Sequence, residues 1–112
     1  DAPKSELEFA VNCGVSYNSD LDKVEKTAID VAKQVLKKDT ESYVKDYEPA
    51  VRFKQFADSS INFSTYLKVK ARKHKVRVTS EFIKALHKRF NKDGIEIPYP
   101  QMDVMVKKWN SK

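Results

Sequence analysis

The sequence predicts an α+β fold whose elements follow the order strand, helix, strand, strand, helix, strand. Three observations carry this prediction. Residues 8–18, 50–57 and 61–71 alternate apolar and polar side chains with the period of two that marks a half-buried strand. Residues 21–36 and 82–90 place their apolar side chains three and four apart, the stripe of an amphipathic helix. Between these segments stand turn and cap residues: Asn18-Ser19-Asp20, Asp58-Ser59-Ser60 and Asp93-Gly94.

The first strand sets Phe9, Val11, Cys13, Val15 and Tyr17 on one face, with Gly14 relieving crowding or forming a bulge inside it. Asp20 is the N-cap of the first helix, and Asp22 lies in its first turn, where the helix dipole favours an acid. Leu21, Val24, Ala28, Val31 and Val35 form the buried stripe of that helix, and Lys33, Lys37 and Lys38 crowd its cation-favouring end. Residues 39–49 are a polar connection ending in Glu48-Pro49. The next two strands form a hairpin. A three-residue loop, Asp58-Ser59-Ser60, sets Ala57 opposite Ile61 and keeps Val51, Phe53 and Ala57 on the face of Ile61, Phe63, Leu67 and Val69.

Arg72 to Lys75 is a basic turn, and the second helix carries Phe82, Leu86 and Phe90 to about Lys92. Val76 and Val78 leave its start open, since they could close a strand or begin the helix. Gly94 caps that helix in the left-handed conformation. Ile95 and Ile97 open a short last strand that Pro98 and Pro100 confine to a sheet edge, and Met102, Val104 and Val106 alternate in the tail. The whole is the ferredoxin-like βαββαβ pattern, a four-stranded antiparallel sheet with two helices on one face. Phe53, Phe63, Leu67, Leu86 and Phe90 are expected in one core. The 112 residues make one domain, with 1–7 a linker and 103–112 a tail.

Hydrophobic content of 40% with only two glycines excludes a disordered chain. A single cysteine, Cys13, cannot form an internal disulfide and favours a reducing compartment. No apolar run approaches the ~20 residues of a membrane span, and the polar start Asp1-Ala2-Pro3-Lys4 is not a signal peptide. The net charge of +6 is uneven: residues 1–67 hold nine bases and twelve acids, whereas 68–92 hold ten bases against Glu81 alone. Such a block points to an anionic partner or an anion-attracting surface, or to a solvated helix face preceded by a basic turn.

Four stretches resemble the small-conductance mechanosensitive channel (MscS) family. They are Gly14-Val15-Ser16-Tyr17 leading into Asp20-Leu21-Asp22-Lys23-Val24, Glu48-Pro49-Ala50-Val51, Asp58-Ser59-Ser60-Ile61-Asn62-Phe63, and Gly94-Ile95-Glu96-Ile97-Pro98-Tyr99-Pro100-Gln101. The last is the most specific. The resemblance implies the C-terminal cytoplasmic α/β domain of a channel subunit, beginning in the stretch that joins the middle β domain to it, with the membrane helices and the pore outside this chain. It further implies a homoheptamer of identical subunits, inorganic ions as what passes, and a multi-pass membrane parent that releases ions and small solutes under tension. Gly14, Asp20, Asp58, Ser59, Gly94, Pro98, Pro100 and Gln101 carry the family pattern by building the fold. Lys68, Lys70, Arg72, Lys73, Lys75 and Arg77 are candidates for an anion-attracting vestibule wall, and Phe56 and Tyr66 for interface anchors.

Other chemistries find little footing. Cys13, His74 and His87 lack the spacing of metal ligands, and no cofactor is expected. No phosphate loop, nucleophile elbow or other catalytic motif is present, and Ser16-Tyr17-Asn18-Ser19 is a poor phosphate cradle. The rival reading is an RNA-binding module of the same element order. On it, Arg52, Lys54, Phe56, Asn62, Ser64, Tyr66, Lys68 and Lys70 form a basic stacking face, although Ser60-Ile61-Asn62-Phe63-Ser64-Thr65-Tyr66 lacks the aromatic motif such modules use. With the family pattern in place, no nucleic-acid partner is expected.

Overall fold

The structure is a computed structural model that describes residues 5–98. The sheet consists of β1 (Leu7–Val15), β2 (Ala50–Phe56) and β3 (Ile61–Val69), all antiparallel neighbours in the order β1-β3-β2. Helix α1 (Leu21–Lys38) links β1 to the hairpin. After β3, a single 3-10 turn at Arg72–His74 leads directly into α2 (Lys75–Asp93), so Val76 and Val78 belong to the helix. The helices pack on each other and α1 lies against the sheet, burying Val24, Ala28, Val31, Phe82, Leu86 and Phe90 with the odd-numbered residues of β3.

The four-stranded expectation is corrected: the described residues form three strands. Ile95 to Pro98 run beside the end of β1 without forming a ladder, and one backbone bond, from the Ser16 amide to the Glu96 carbonyl at 2.9 Å, ties them there. Proline supplies no amide, so Pro98 cannot donate the next rung. The expected alternation at Met102, Val104 and Val106, with Pro100 and Gln101, lies outside the described residues.

The hairpin is corrected as well. Phe56, not Ala57, pairs with Ile61, leaving a four-residue connection closed by the Ala57 amide on the Ser60 carbonyl at 2.7 Å. An even connection alone would mismatch the faces. A bulge at Lys54 compensates, because two residue steps on β2 from Phe53 to Gln55 oppose one on β3. Val51 and Phe53 therefore stay on the core side, opposite Thr65 and Phe63. Phe63, Leu67, Leu86 and Phe90 are buried as expected, and Phe53 is partly buried against them.

The caps follow the sequence. The Asp20 carboxylate accepts from the amides of Asp22 and Lys23, and Gly94 ends α2 at φ 74°. β1 pairs with β3 without interruption, so Gly14 is not a bulge. A Cβ there would lie 2.8 Å from Ser60 Oγ and 2.9 Å from Asn62 Oδ1.

Candidate functional site

Three surfaces carry the residues singled out by sequence. The first is the sheet face away from the helices. Its β-strand positions alternate outward as polar side chains, and they satisfy one another: Ser64 Oγ donates to Asn12 Oδ1 at 2.6 Å and Ser60 Oγ to Asn62 Oδ1 at 2.9 Å. Lys54 donates to the Tyr66 hydroxyl at 2.9 Å and its ammonium lies 5.5 Å from that ring's centroid. The ammonium therefore sits off the hydroxyl end of the ring, near its plane, and takes up the Tyr66 hydroxyl. Phe56 is not on this face. Its partner Ile61 lies on the core side, and cross-strand partners share a face, so the bulge at Lys54 has turned Phe56 over. The basic, doubly aromatic platform read from strand alternation does not form.

Phe56 instead makes the second surface, at the hairpin tip. It is 78% exposed and stacks almost parallel on Tyr17, with centroids 6.2 Å apart. The Tyr17 hydroxyl donates to the Ala57 carbonyl, which fastens the end of β1 to the turn. Asp58 is exposed in this turn beside half-buried Ser59.

The basic block is the third. Its six candidates divide by partner. Lys68 pairs with Glu6 at 3.3 Å and sits over the Tyr47 ring, whose hydroxyl donates to Glu8 at 2.8 Å. Burial, helped by the Glu8 carboxylate, pushes the Tyr47 phenol well above its usual range. Arg77 makes a fork of two hydrogen bonds, 2.8 and 2.9 Å, to Asp39, reaches Glu41 at 3.3 Å and donates to Nδ1 of buried His74 at 3.1 Å. The guanidinium holds the Asp39 carboxyl below the usual carboxylate range. This cluster has a structural reason: α2 has no acid in its own first turn, and Asp39 and Glu41 bring carboxylates to the helix end that favours them. Lys75 lies over the Phe9 ring, 5.6 Å from its centroid. Lys70, Arg72 and Lys73 are exposed and have no carboxylate within 4.0 Å among the described residues.

Sequence reasoning missed the Tyr47–Glu8 and Arg77–Asp39 contacts, which join residues about forty apart. It missed buried Ser42 too, whose carbonyl accepts from the Lys70 amide at 3.0 Å. Cys13 is half-buried, and burial pushes its thiol up. His87 is exposed on α2, while His74 is buried beneath Arg77. Among the described residues no group of three acids, histidines or cysteines could hold a metal ion, and no helix is long and apolar enough to cross a membrane.

Residues 9–97 match the family model described as "Mechanosensitive ion channel MscS, C-terminal". The chain belongs to the MscS family of ion channels. Among its relatives, the small-conductance mechanosensitive channel of Helicobacter pylori is 31% identical over 99 residues, covering 88% of this chain and 34% of the relative. An uncharacterized MscS family protein of Buchnera aphidicola is 34% identical over 107 residues, covering 95% and 32%. The chain therefore spans about a third of the length of these relatives. The crystal structure of Helicobacter pylori MscS in a closed state superposes with a TM-score of 0.72 at 28% identity, over 86% of this chain and 36% of that one. Arabidopsis thaliana MSL1 shares the fold, with a TM-score of 0.61 at 12% identity over 86% and 35%. The MscS family is one of channels rather than enzymes, in keeping with the lack of a catalytic motif in the sequence.

Proposed function

We propose that this chain forms the cytoplasmic end of a tension-gated channel subunit. There it packs with identical copies, seven in the arrangement its family resemblance implies, to wall a vestibule through which ions and small solutes reach the pore on osmotic downshock. The observation that carries this reading is the family match across residues 9–97, nearly the whole of the described chain. The domain itself neither gates nor reacts. Its contribution is a wall built on one packed core, joined to the membrane by a preceding part of the longer parent. Among the six candidates of the basic block, Lys70, Arg72, Lys73 and Lys75 have no carboxylate within 4.0 Å among the described residues and keep their charge to present to passing anions.

A chimaera tests the reading. The matching C-terminal third of the Helicobacter pylori channel is replaced by this chain, and the purified product is sized and recorded in membrane patches. Ring-sized particles with currents opened by suction are expected. A stably expressed chimaera that stays monomeric would overturn the assembly role. The nucleic-acid alternative loses its doubly aromatic platform, since Phe56 has left the face it required.

A further inference from the structure

Among the described residues, two groups of exposed apolar side chains lie outside the core at opposite ends of the sheet, besides the single exposed Ile97. One is the Tyr17–Phe56 stack at the hairpin tip, beside Ile61. The other is on the first turns of α2, where Val76 is 79% and Ile83 51% exposed around a shallow groove of about 460 Å³ that Lys75 and Lys84 also line. Lys75 is fixed over Phe9, and Phe9 pairs with Leu67, six residues along β3 from Ile61. At the rise of a strand, the two patches are about 20 Å apart along the sheet.

Their charges are opposite. Around the tip stand the acids Asp58, Asp20 and Glu96, the last held there by the Ser16–Glu96 backbone bond. Nearby Lys23 is turned aside onto the Asp93 carbonyl, and Lys54 onto Tyr66. Lys75 and Lys84 line the groove, Arg72 and Lys73 stand on the 3-10 turn that leads into it, and Glu81 is already paired with Lys84 at 3.6 Å. A chain with two different, complementary patches at opposite ends is equipped for head-to-tail association, in which each copy offers one patch to its neighbour's other. Like patches meeting across a two-fold axis would instead set acid against acid or base against base.

We infer that the Tyr17–Phe56 tip of one copy docks into the Val76–Ile83 groove of the next, with Asp58 against Lys75 and its basic neighbours. This rests on the assembly reading above and assigns it an interface. The aromatic pair is the anchor: a stacked, pre-fastened pair loses little side-chain freedom on burial. Asp58 and the lysines set polarity and register, as charges at an interface rim do.

The test uses the full 112-residue chain with Cys13→Ser as background and two cysteines introduced at the rim, Asp58→Cys and Lys75→Cys, which leave the Tyr17–Phe56 anchor and the Val76–Ile83 groove intact. Their separation of about 20 Å forbids an internal disulfide, which needs Cα atoms within about 7 Å. Mild oxidation at high protein concentration should give a ladder of dimers, trimers and longer species from the double variant, whereas either single cysteine alone should stop at dimers. In the Cys13→Ser chain, Phe56→Ala should weaken self-association measured by sedimentation by about thirtyfold or more, as the loss of a buried aromatic anchor does. Asp58→Lys should weaken it less, and Lys75→Glu should restore part of that loss. Self-association without the ladder, and indifferent to Phe56→Ala, would overturn this interface while leaving the assembly reading to the chimaera. A chain that stays monomeric at millimolar concentration would overturn the interface as well, whatever the chimaera does.

Discussion

Gly14 and Gly94 are required for different reasons, and the difference can be measured. At Gly94 the backbone is left-handed with open space where a Cβ would go, so the cost of a side chain is conformational alone. Gly94→Ala should lower stability by about 1–2 kcal/mol, and Gly94→Asn by less, because asparagine tolerates that conformation. At Gly14 the obstacle is steric: Ser60 and Asn62 reach within 3.0 Å of the missing Cβ. Gly14→Ala should cost ~1–3 kcal/mol, the usual range for overpacking. Most of that loss should vanish in a Ser60→Gly background, since Ser60 supplies two of the three close contacts. Urea midpoints of the two single variants and the double variant check the pair. Additive losses would show that Ser60 is not the obstacle.

At the scale of elements, the packing of sheet on helix and the ties between helix ends make separate demands. Phe63 is 1% exposed and tilted against both Phe53 and Phe90. Phe63→Ala should therefore cost ~3–5 kcal/mol, and Phe53→Ala distinctly less, because Phe53 is only partly buried. The tie between the exit of α1 and the start of α2 is the Asp39–Arg77 fork. Since Arg77 lowers the Asp39 pKa in the folded state, the unfolded chain binds more protons in acid, and stability must fall as pH falls. The contribution is complete above the unfolded value of about 4 and disappears as pH drops through the lower folded value. Urea unfolding between pH 5 and pH 2 (round values around that carboxylate range) should show a shallower acid loss in Arg77→Gln than in the parent. Equal slopes would mean that the fork is not what responds to acid.

At the scale of the whole molecule, the proposed vestibule gives the basic block a graded role. A formal net charge of +6 per copy would crowd one cage with positive charge. Screening confines its reach to ~8 Å at physiological ionic strength. Internal pairing has also removed Lys68 and Arg77 from the supply. Reversing Lys70, Arg72 and Lys73 to Glu in the chimaera should shift the reversal potential toward cation preference at low salt, and less at high salt. The same reversal of Lys68 should do less, because it disrupts a pair with Glu6 rather than a free charge. A reversal potential indifferent to all of these at low salt would leave the block as solvated surface.

Much of this was legible in the chain alone. Periodicity of two and of 3.6 is a local property, so the three strands, both helices and the core residues Phe63, Leu67, Leu86 and Phe90 could be read from spacing, as could the Asp20 and Gly94 caps. The family, too, was legible in contiguous motifs, of which Gly94-Ile95-Glu96-Ile97-Pro98-Tyr99-Pro100-Gln101 was the most specific. Tertiary structure decided what depends on residues distant in sequence. The bulge at Lys54 preserved the faces of β2 but turned Phe56 over, because an irregularity in pairing is fixed by the partner strand and leaves no periodic trace. The fourth strand, which does not form among the described residues, follows the same rule: alternation at Ile95 and Ile97 shows which side could be buried, not whether backbone partners are present to form a ladder. Which lysines and arginines keep their charge was likewise unreadable, since Asp39 and Glu6 neutralise Arg77 and Lys68 only once the fold has brought them together across the chain.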